Sequence, residues 1–202
     1  MITIVDYGVG NILSFVNLYK RLNIECRVAT SAQQLAGSRR LILPGVGSFD
    51  HAMKSLQRSG MRGHLDELVM ARNIPVLGIC VGMQMLANSS DEGELPGLGW
   101  VPGIVRKFDI STVGRLPHMG WNDITPNRAS GLFRDISELP RYYFLHSYYF
   151  ECIHPEHALA TSLYGAEFTC AVNVGAVYGV QFHPEKSHHF GMDLLKNFSE
   201  LS

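Results

Sequence analysis

The sequence predicts an α/β fold, in which a layered and mostly parallel sheet carries helices on both faces and continues into an antiparallel extension. Two observations lead to this prediction. Between residues 1 and 87, β-branched apolar runs alternate with helical patterns, as in a parallel sheet covered on both faces. Between residues 100 and 182, the apolar runs are short and bounded by turn residues, which favours antiparallel pairing.

The first part of the chain alternates strands and helices. Strands are predicted over residues 2–5, 26–29, 41–43 and 75–79. Helices are predicted over residues 12–22, 49–58, 61–72 and 83–87. The first helix follows Asn11, a residue type that often caps helix N-termini. Gly60 separates the second helix from the third.

The second part is rich in short strands, and residues 89–99 are predicted to form a loop. The strands are predicted over residues 103–108, 142–146, 148–152, 159–162, 169–174 and 177–182. A helix over residues 187–201 closes the chain, with Phe190, Leu194, Leu195 and Phe198 on one face. The order of elements predicts a flavodoxin-like layered sheet, and the length of 202 residues suits a single domain spanning residues 1–202.

Composition excludes several classes of protein. The chain is 46% hydrophobic and 17% charged, so it can bury a core, and its net charge of -1 predicts no nucleic-acid partner. It starts without a basic, signal-like segment and has no apolar run long enough for a membrane helix. We therefore expect a cytoplasmic protein that does not bind membranes and whose four cysteines, at positions 26, 80, 152 and 170, are reduced. No motif calls for a cofactor.

The most informative stretch surrounds Cys80. A buried strand leads through Gly78 into Cys80, and Gly82 opens a helix. This is the nucleophile-elbow pattern with a thiol in place of a serine hydroxyl. A helix N-terminus favours the thiolate, and the N–H of Val81 could hold an oxyanion. A buried structural cysteine between two packing glycines is the alternative interpretation.

A candidate base lies at the end of the last predicted strand. His183 is followed by Pro184, which biases it toward extended geometry, and then by Glu185, which can orient the imidazole. Because ligands bind at the carboxyl ends of parallel strands, we expect Cys80 and His183 to meet there. Taken alone, the His-Pro-Glu turn could simply open the last helix.

Two other kinds of site fit the residues less well. Gly8-Val9-Gly10 suggests a dinucleotide-binding turn, but Leu13 replaces the third glycine. Two histidine-containing sets could be considered for a metal: Cys152, His154 and His157, and His183, His188 and His189. Neither set has a firm ligand spacing, so no metal site is predicted.

Together these motifs resemble those of the class I (triad) glutamine amidotransferases. The resemblance rests on residues 78–84 (Gly-Ile-Cys-Val-Gly-Met-Gln) and 182–187 (Phe-His-Pro-Glu-Lys-Ser). Residues 6–11, 44–47 and 117–122 narrow it to the glutaminase subunits of imidazole glycerol phosphate synthase, which belong to histidine biosynthesis. The resemblance covers nearly the whole chain, and the motifs keep the family's order.

The resemblance implies an activity and a partner. L-glutamine would be hydrolysed through a Cys80 thioester, with His183 as the base and Glu185 as its orienting residue. The ammonia would pass through a channel to a synthase, a (β/α)₈-barrel cyclase subunit that forms a heterodimer with this chain. The same chemistry could instead supply another synthase, such as a sugar amidotransferase of surface-polysaccharide synthesis.

The resemblance also implies roles for further residues. The oxyanion hole would use Val81 and the segment Gly45, Val46 and Gly47, which must reorient, so the isolated subunit is predicted to be a poor glutaminase. Glutamine would be bound by Gly47, Gln84, His146, Ser147 and Tyr148. The partner would be contacted by Asn11, Pro117, Met119, Trp121 and Lys186.

Two rival functions remain open at this point. One is a cysteine hydrolase or chaperone of the same α/β class, and activity on a substrate other than glutamine would support it. The other is a non-enzymatic subunit that keeps the fold without the activity. The presence of Cys80, His183 and Glu185 together argues against the second.

Overall fold

A computed structural model describes residues 1–136 and 140–201. Its strands, β1 to β13, are Ile2–Val5, Cys26–Ala29, Leu41–Gly45, Val76–Cys80, Ser89–Ser90, Gly103–Lys107, His118–Asp123, Thr125–Pro126, Arg141–His146, Tyr148–Cys152, Ala158–Tyr164, Ala166–Val174 and Val177–Val180. Its α-helices, α1 to α6, are Ile12–Arg21, Phe49–Arg58, Arg62–Asp66, Val81–Gln84, Ile110–Val113 and His188–Glu200.

One large sheet organises the molecule, with strand order β2-β1-β3-β4-β13-β12-β10-β6-β5. The strands from β2 through β13 in this order pair in parallel. From β13 onward, the β13–β12, β12–β10 and β10–β6 pairs are antiparallel. The predicted α/β fold, with a parallel centre and an antiparallel extension, is therefore confirmed.

The parallel strands are apolar because both of their faces are covered. Every residue of β1, β3 and β4 is buried, as expected for strands at the centre of a doubly covered sheet. On the helical layers, α1 contacts α6, and α2 contacts α4. The last helix contributes Leu194, Leu195 and Phe198 to the core, as its apolar face predicted.

A separate two-stranded ribbon was not predicted. In it, β7 and β9 pair antiparallel, with His118 opposite His146 and Trp121 opposite Tyr143. Inward and outward residues alternate along β7, but Gly120 interrupts its apolar pattern, and His118 and His146 are 28 residues apart in the chain. The short elements β5, β8 and α5 were also not predicted.

Three local predictions about helices need correction. Asn11 precedes α1 but makes no capping hydrogen bond through its side chain, and its backbone carbonyl accepts from the N–H of Ser14 instead. The helix predicted over 61–72 is a short α-helix that widens into a π-turn over Glu67–Ala71. Helix α4 begins at Val81, two residues earlier than predicted, because the chain turns directly after Cys80.

Candidate active site

Cys80 lies at the end of β4 in a backbone conformation that L-residues rarely adopt, with φ +55° and ψ -115°. Neighbouring backbone makes this tight turn possible only with glycines on either side. A Cβ on Gly78 would lie 2.6 Å from the carbonyl oxygen of Gly82, and a Cβ on Gly82 would lie 1.9 Å from that of Leu43. Backbone strain of this kind persists only where the surroundings impose it, and it is typical of functional sites.

His183 follows the strand next to Cys80. Strands β4 and β13 pair in parallel with Ile79 opposite Val180, so Cys80 and His183 leave the sheet at the same edge. The side chain of His183 is buried and lines the same pocket as Cys80. Its backbone is held on both sides, because its N–H donates to the carbonyl of Tyr143 and its carbonyl accepts from the hydroxyl of Ser187.

Glu185 fixes the orientation of the His183 ring. The Glu185 Oε1 atom lies 2.8 Å from Nδ1 of His183, and only 4% and 5% of the two side chains are exposed to solvent. A carboxylate can only accept here, so Nδ1 carries the proton and Nε2 is left for the thiol. The structure thus brings together the three residues that the sequence predicted as a triad.

The pKa of His183 is raised to about 10, which is the net result of opposing effects. Burial lowers it, and this is the largest single effect, but hydrogen bonds to Cys80 and Glu185 and the charges of these two groups raise it by more in total. The protonated imidazole of His183 is therefore favoured beside Cys80.

Gln181 also contacts the nucleophile, which sequence reasoning missed. Its Nε2 atom lies 3.8 Å from Cys80 Sγ, and its Oε1 accepts from Gln84 Nε2 at 3.0 Å. The side chain is fully buried. Its signal in the sequence is a lone amide between Val180 and Phe182 in an otherwise apolar strand end, since a buried polar side chain needs a partner.

A pocket of about 330 Å³ opens above Cys80 and His183. Its lining includes all five residues predicted to bind glutamine: Gly47, Gln84, His146, Ser147 and Tyr148. Glu92 lines it as well, and this acidic residue was not predicted. One carboxylate oxygen of Glu92 accepts from the N–H of Phe49 at 2.8 Å, which anchors the side chain at the start of α2. Its only signal in the sequence is a cluster of acidic residues in the loop predicted over 89–99.

The segment predicted to form the oxyanion hole follows β3 at the mouth of the pocket. Gly45 is clamped, since a Cβ there would lie 2.4 Å from the backbone nitrogen of Gly82. Val46 and Gly47 line the pocket, and Gly47 has φ +83° with open space where a Cβ would stand. On the other side, Val81 is the first residue of α4, where backbone N–H groups have no partner within the helix.

The five residues predicted to contact a partner are all exposed: Asn11, Pro117, Met119, Trp121 and Lys186. Pro117 and Lys186 line the pocket rim. Met119 and Trp121 lie on β7, and 57% and 40% of their surfaces are exposed. The Trp121 ring stacks parallel to His188, with 5.3 Å between centroids, instead of tucking into the core.

A metal site and a membrane-spanning helix were the two other features to consider in the described parts of the chain. Across residues 1–136 and 140–201, no group of three His, Cys, Asp or Glu side chains could hold a metal ion. In the same residues, no helix has the length and apolarity needed to cross a membrane.

Comparison with known proteins decides the family. The family model described as "Glutamine amidotransferase class-I" matches residues 3–201. This chain is a class I glutamine amidotransferase. Two of its relatives carry the name of the same enzyme subunit. The chain is 62% identical to "Imidazole glycerol phosphate synthase subunit HisH" of Bdellovibrio bacteriovorus and 50% identical to the protein of the same name from Leptospira interrogans, and each alignment covers 100% of both chains.

Solved structures agree with the fold of the amidotransferase. A "glutamine amidotransferase" crystal structure superposes with a TM-score of 0.77 at 22% identity, covering 98% of this chain and 96% of that one. The PurLQS structure from Thermotoga maritima gives a TM-score of 0.76 at 17% identity with the same coverage. At these identities the likeness concerns the fold alone.

Proposed function

We propose that this chain is the glutaminase subunit of an imidazole glycerol phosphate synthase and acts as a single domain. Full-length identity of 62% to a protein of that name supports the assignment. The observation that carries the chemistry is the meeting of Cys80, in its strained turn, with the buried His183–Glu185 pair at one sheet edge. A cytoplasmic location, where thiols stay reduced, belongs to the same proposal.

In the first half of the reaction, the Cys80 thiolate attacks the side-chain amide carbon of glutamine. The carbonyl oxygen becomes an oxyanion, which the N–H of Val81 and a second N–H from Val46 or Gly47 stabilise. The protonated His183 then gives its Nε2 proton to the amide nitrogen. The carbon–nitrogen bond breaks, ammonia leaves, and a thioester on Cys80 remains.

In the second half, His183 is neutral and acts as a general base. It takes a proton from water, the resulting hydroxide attacks the thioester carbon, and the carbon–sulfur bond breaks to release the acid, which loses its remaining proton to solvent as glutamate. The thiolate and the imidazolium are thereby restored. Glu185 stays hydrogen-bonded to Nδ1 throughout and stabilises the charged ring without itself being protonated.

The pocket lining also offers groups for the charged end of glutamine. Glu92 is the acidic group lining it, and we assign it to the α-amino group of the substrate. Gln84 and residues 146–148 line the same pocket and would hold the α-carboxylate and the amide. A carboxylate paired with an ammonium group gives the site a preference for amino acids over simple amides.

The same surface offers a docking site for a synthase. The exposed apolar residues Met119, Trp121 and Leu145 lie on one face of the β7–β9 ribbon, and Leu145 also lines the pocket. A (β/α)₈-barrel cyclase seated there, forming a heterodimer, would cover the pocket mouth and receive ammonia without loss to water. Contact with the rim would also reorient the Val46–Gly47 peptide and complete the oxyanion hole.

Glutaminase assays on the chain alone and with the cyclase from the same genome test this proposal, with Cys80→Ala as the control. We expect slow turnover by the chain alone and at least a hundredfold increase with the cyclase, because one oxyanion donor is worth about 10²–10³ in rate. Cys80→Ala should abolish both activities. Activation by a different synthase instead would replace the pathway assignment, and turnover independent of Cys80 would disprove the mechanism.

A further inference from the structure

Two buried histidines lie side by side at the wall of the pocket above Cys80. His118 of β7 and His146 of β9 face each other in the ribbon, and Nδ1 of His118 lies 2.9 Å from Nε2 of His146. Only 4% and 6% of their surfaces are exposed. His146 lines the pocket, but His118 does not and has no part in the reaction described above.

The hydrogen-bond partners fix the proton on each ring. Nδ1 of His146 lies 2.7 Å from the carbonyl oxygen of Tyr148, which can only accept, so this nitrogen carries the proton. In a neutral ring Nε2 of His146 must then accept, and Nδ1 of His118 donates to it. Nε2 of His118 accepts in turn from Nδ2 of Asn122 at 3.3 Å. All four ring nitrogens are satisfied with both rings neutral.

Burial keeps both rings in this neutral state. Loss of hydration lowers the pKa of His118 to about 4 and is the first cause that lowers that of His146 to about 3. The hydrogen bond to Tyr148 raises the pKa of His146, while the nearby rings of His118 and His183 lower it. The two rings therefore act as directional donors and acceptors near neutral pH, and not as charges.

The last acceptor in this chain of hydrogen bonds belongs to the pocket wall. The Tyr148 carbonyl is held from one side by His146 and from the other by Gln84 Nε2 at 3.3 Å. Gln84 also bonds Gln181, which contacts Cys80. Residues 146–148 line the pocket, and the proposed function assigns them to the charged end of glutamine, so their backbone position would decide how that end is held.

We propose that His118 is a positioning residue for glutamine binding, whose Nδ1–H holds His146 and thereby the pocket wall formed by residues 146–148. This inference rests on the proposed glutaminase function. A purely structural role is the competing explanation, because the His118 ring also stacks between Phe144 and Tyr164, with centroids 4.8 and 4.1 Å away. The two explanations differ in what substitutions at this position do.

Steady-state kinetics of the complex with the cyclase separate the two. His118→Phe keeps an aromatic ring but removes the donor, leaving Nε2 of His146 buried without a partner. His118→Asn places an amide N–H close to the position of Nδ1. We expect the KM for glutamine to rise about tenfold in the His118→Phe variant, since the loss of one neutral hydrogen bond corresponds to a change of roughly this size. The kcat should stay within about threefold of wild type. The His118→Asn variant should recover most of the change in KM.

A matched control accounts for loss of stability. Phe198→Leu trims a fully buried ring on α6, away from the pocket. A KM for glutamine that stays at the wild-type value in the His118→Phe variant, or that rises equally in the Phe198→Leu variant, would overturn the proposal.

A spectroscopic measurement on the isolated chain does not depend on the proposed function. The ¹⁵N resonances of His146 in the wild type should show a protonated Nδ1 and a hydrogen-bonded Nε2. In His118→Phe the Nε2 resonance of His146 should move toward that of an unpaired nitrogen. An unchanged resonance would show that His118 does not hydrogen-bond His146. Wild-type protein without Cys80-dependent turnover would instead refute the proposed function, whatever the spectra show.

Discussion

At Cys80, a single residue concentrates the backbone strain of the active site. A conformation of this kind costs an L-residue about 1–3 kcal/mol, and the close backbone packing that Gly78 and Gly82 permit holds it in place. This strained conformation places the thiol in the pocket beside His183 and Gln181. We expect the strained turn and the buried partners together to set the reactivity of the thiol.

Gln181 offers a sharp test of how the thiolate is stabilised. Gln181→Glu keeps the size and shape of the side chain but replaces the N–H donor that faces Cys80 Sγ with an oxygen. We expect the rate of alkylation by iodoacetamide at pH 7 to fall about tenfold or more, since a hydrogen bond to a charged group is worth roughly 1.5–3 kcal/mol.

Gln181→Met serves as the control for that substitution, because it removes the donor without adding an acidic group. It should lower the alkylation rate less than Gln181→Glu does. Equal rates in both variants and the wild type would show that Gln181 does not stabilise the thiolate.

For single residues, the sequence was sufficient to predict a place in the active site where neighbouring glycines or prolines constrain the backbone. The glycines around Cys80 and the proline after His183 mark those residues locally. Gln181 and Glu92 carry no such mark, because their roles come from neighbours such as Cys80 and Phe49 that lie far away in the chain. Asn11 shows the converse, since its type suggested a cap that its backbone angles do not support.

Among the elements, the β7–β9 ribbon connects the pocket with the proposed docking surface. Its inner face carries the histidine pair, and its outer face carries Met119, Trp121 and Leu145. The parallel strands were predictable because continuous apolar runs report burial on both faces. Strand β7 was not, since its existence depends on pairing with β9 and its sequence mixes histidine, glycine and asparagine.

Trp121 should anchor the synthase on this ribbon. A half-exposed aromatic ring backed by His188 has the features of an interface hot spot, so Trp121→Ala should weaken the affinity for the cyclase at least tenfold. Calorimetric titration of one subunit into the other measures this.

The matched control is Ile153→Ala, which removes an exposed apolar side chain just after β10. It should leave the affinity within about twofold of wild type. Similar losses in the two variants would mean that Trp121 is no special contact and that the cyclase docks elsewhere.

For the whole molecule, burial of the histidine pair makes folding depend on pH. Unfolded, His118 and His146 would titrate near their ordinary pKa of about 6.5, whereas the folded protein lowers these values to about 4 and 3. Between pH 6.5 and 4 the unfolded chain therefore binds more protons, so stability is lost as pH falls through this window. His183, with its raised pKa, is protonated in both states below pH 6.5 and adds little there.

The free energy of unfolding should consequently be lower at pH 5 than at pH 7, by roughly 2 kcal/mol for each of the two histidines, since one pKa unit corresponds to about 1.4 kcal/mol. Urea unfolding of the isolated chain at both pH values measures the difference. In His118→Phe one titrating group is gone, and the difference between the two pH values should shrink by about 2 kcal/mol, even though the variant is less stable at pH 7. Carboxylates contribute equally to both proteins and cancel in this comparison. A difference as large in the variant as in the wild type would show that His118 is not held neutral by the fold.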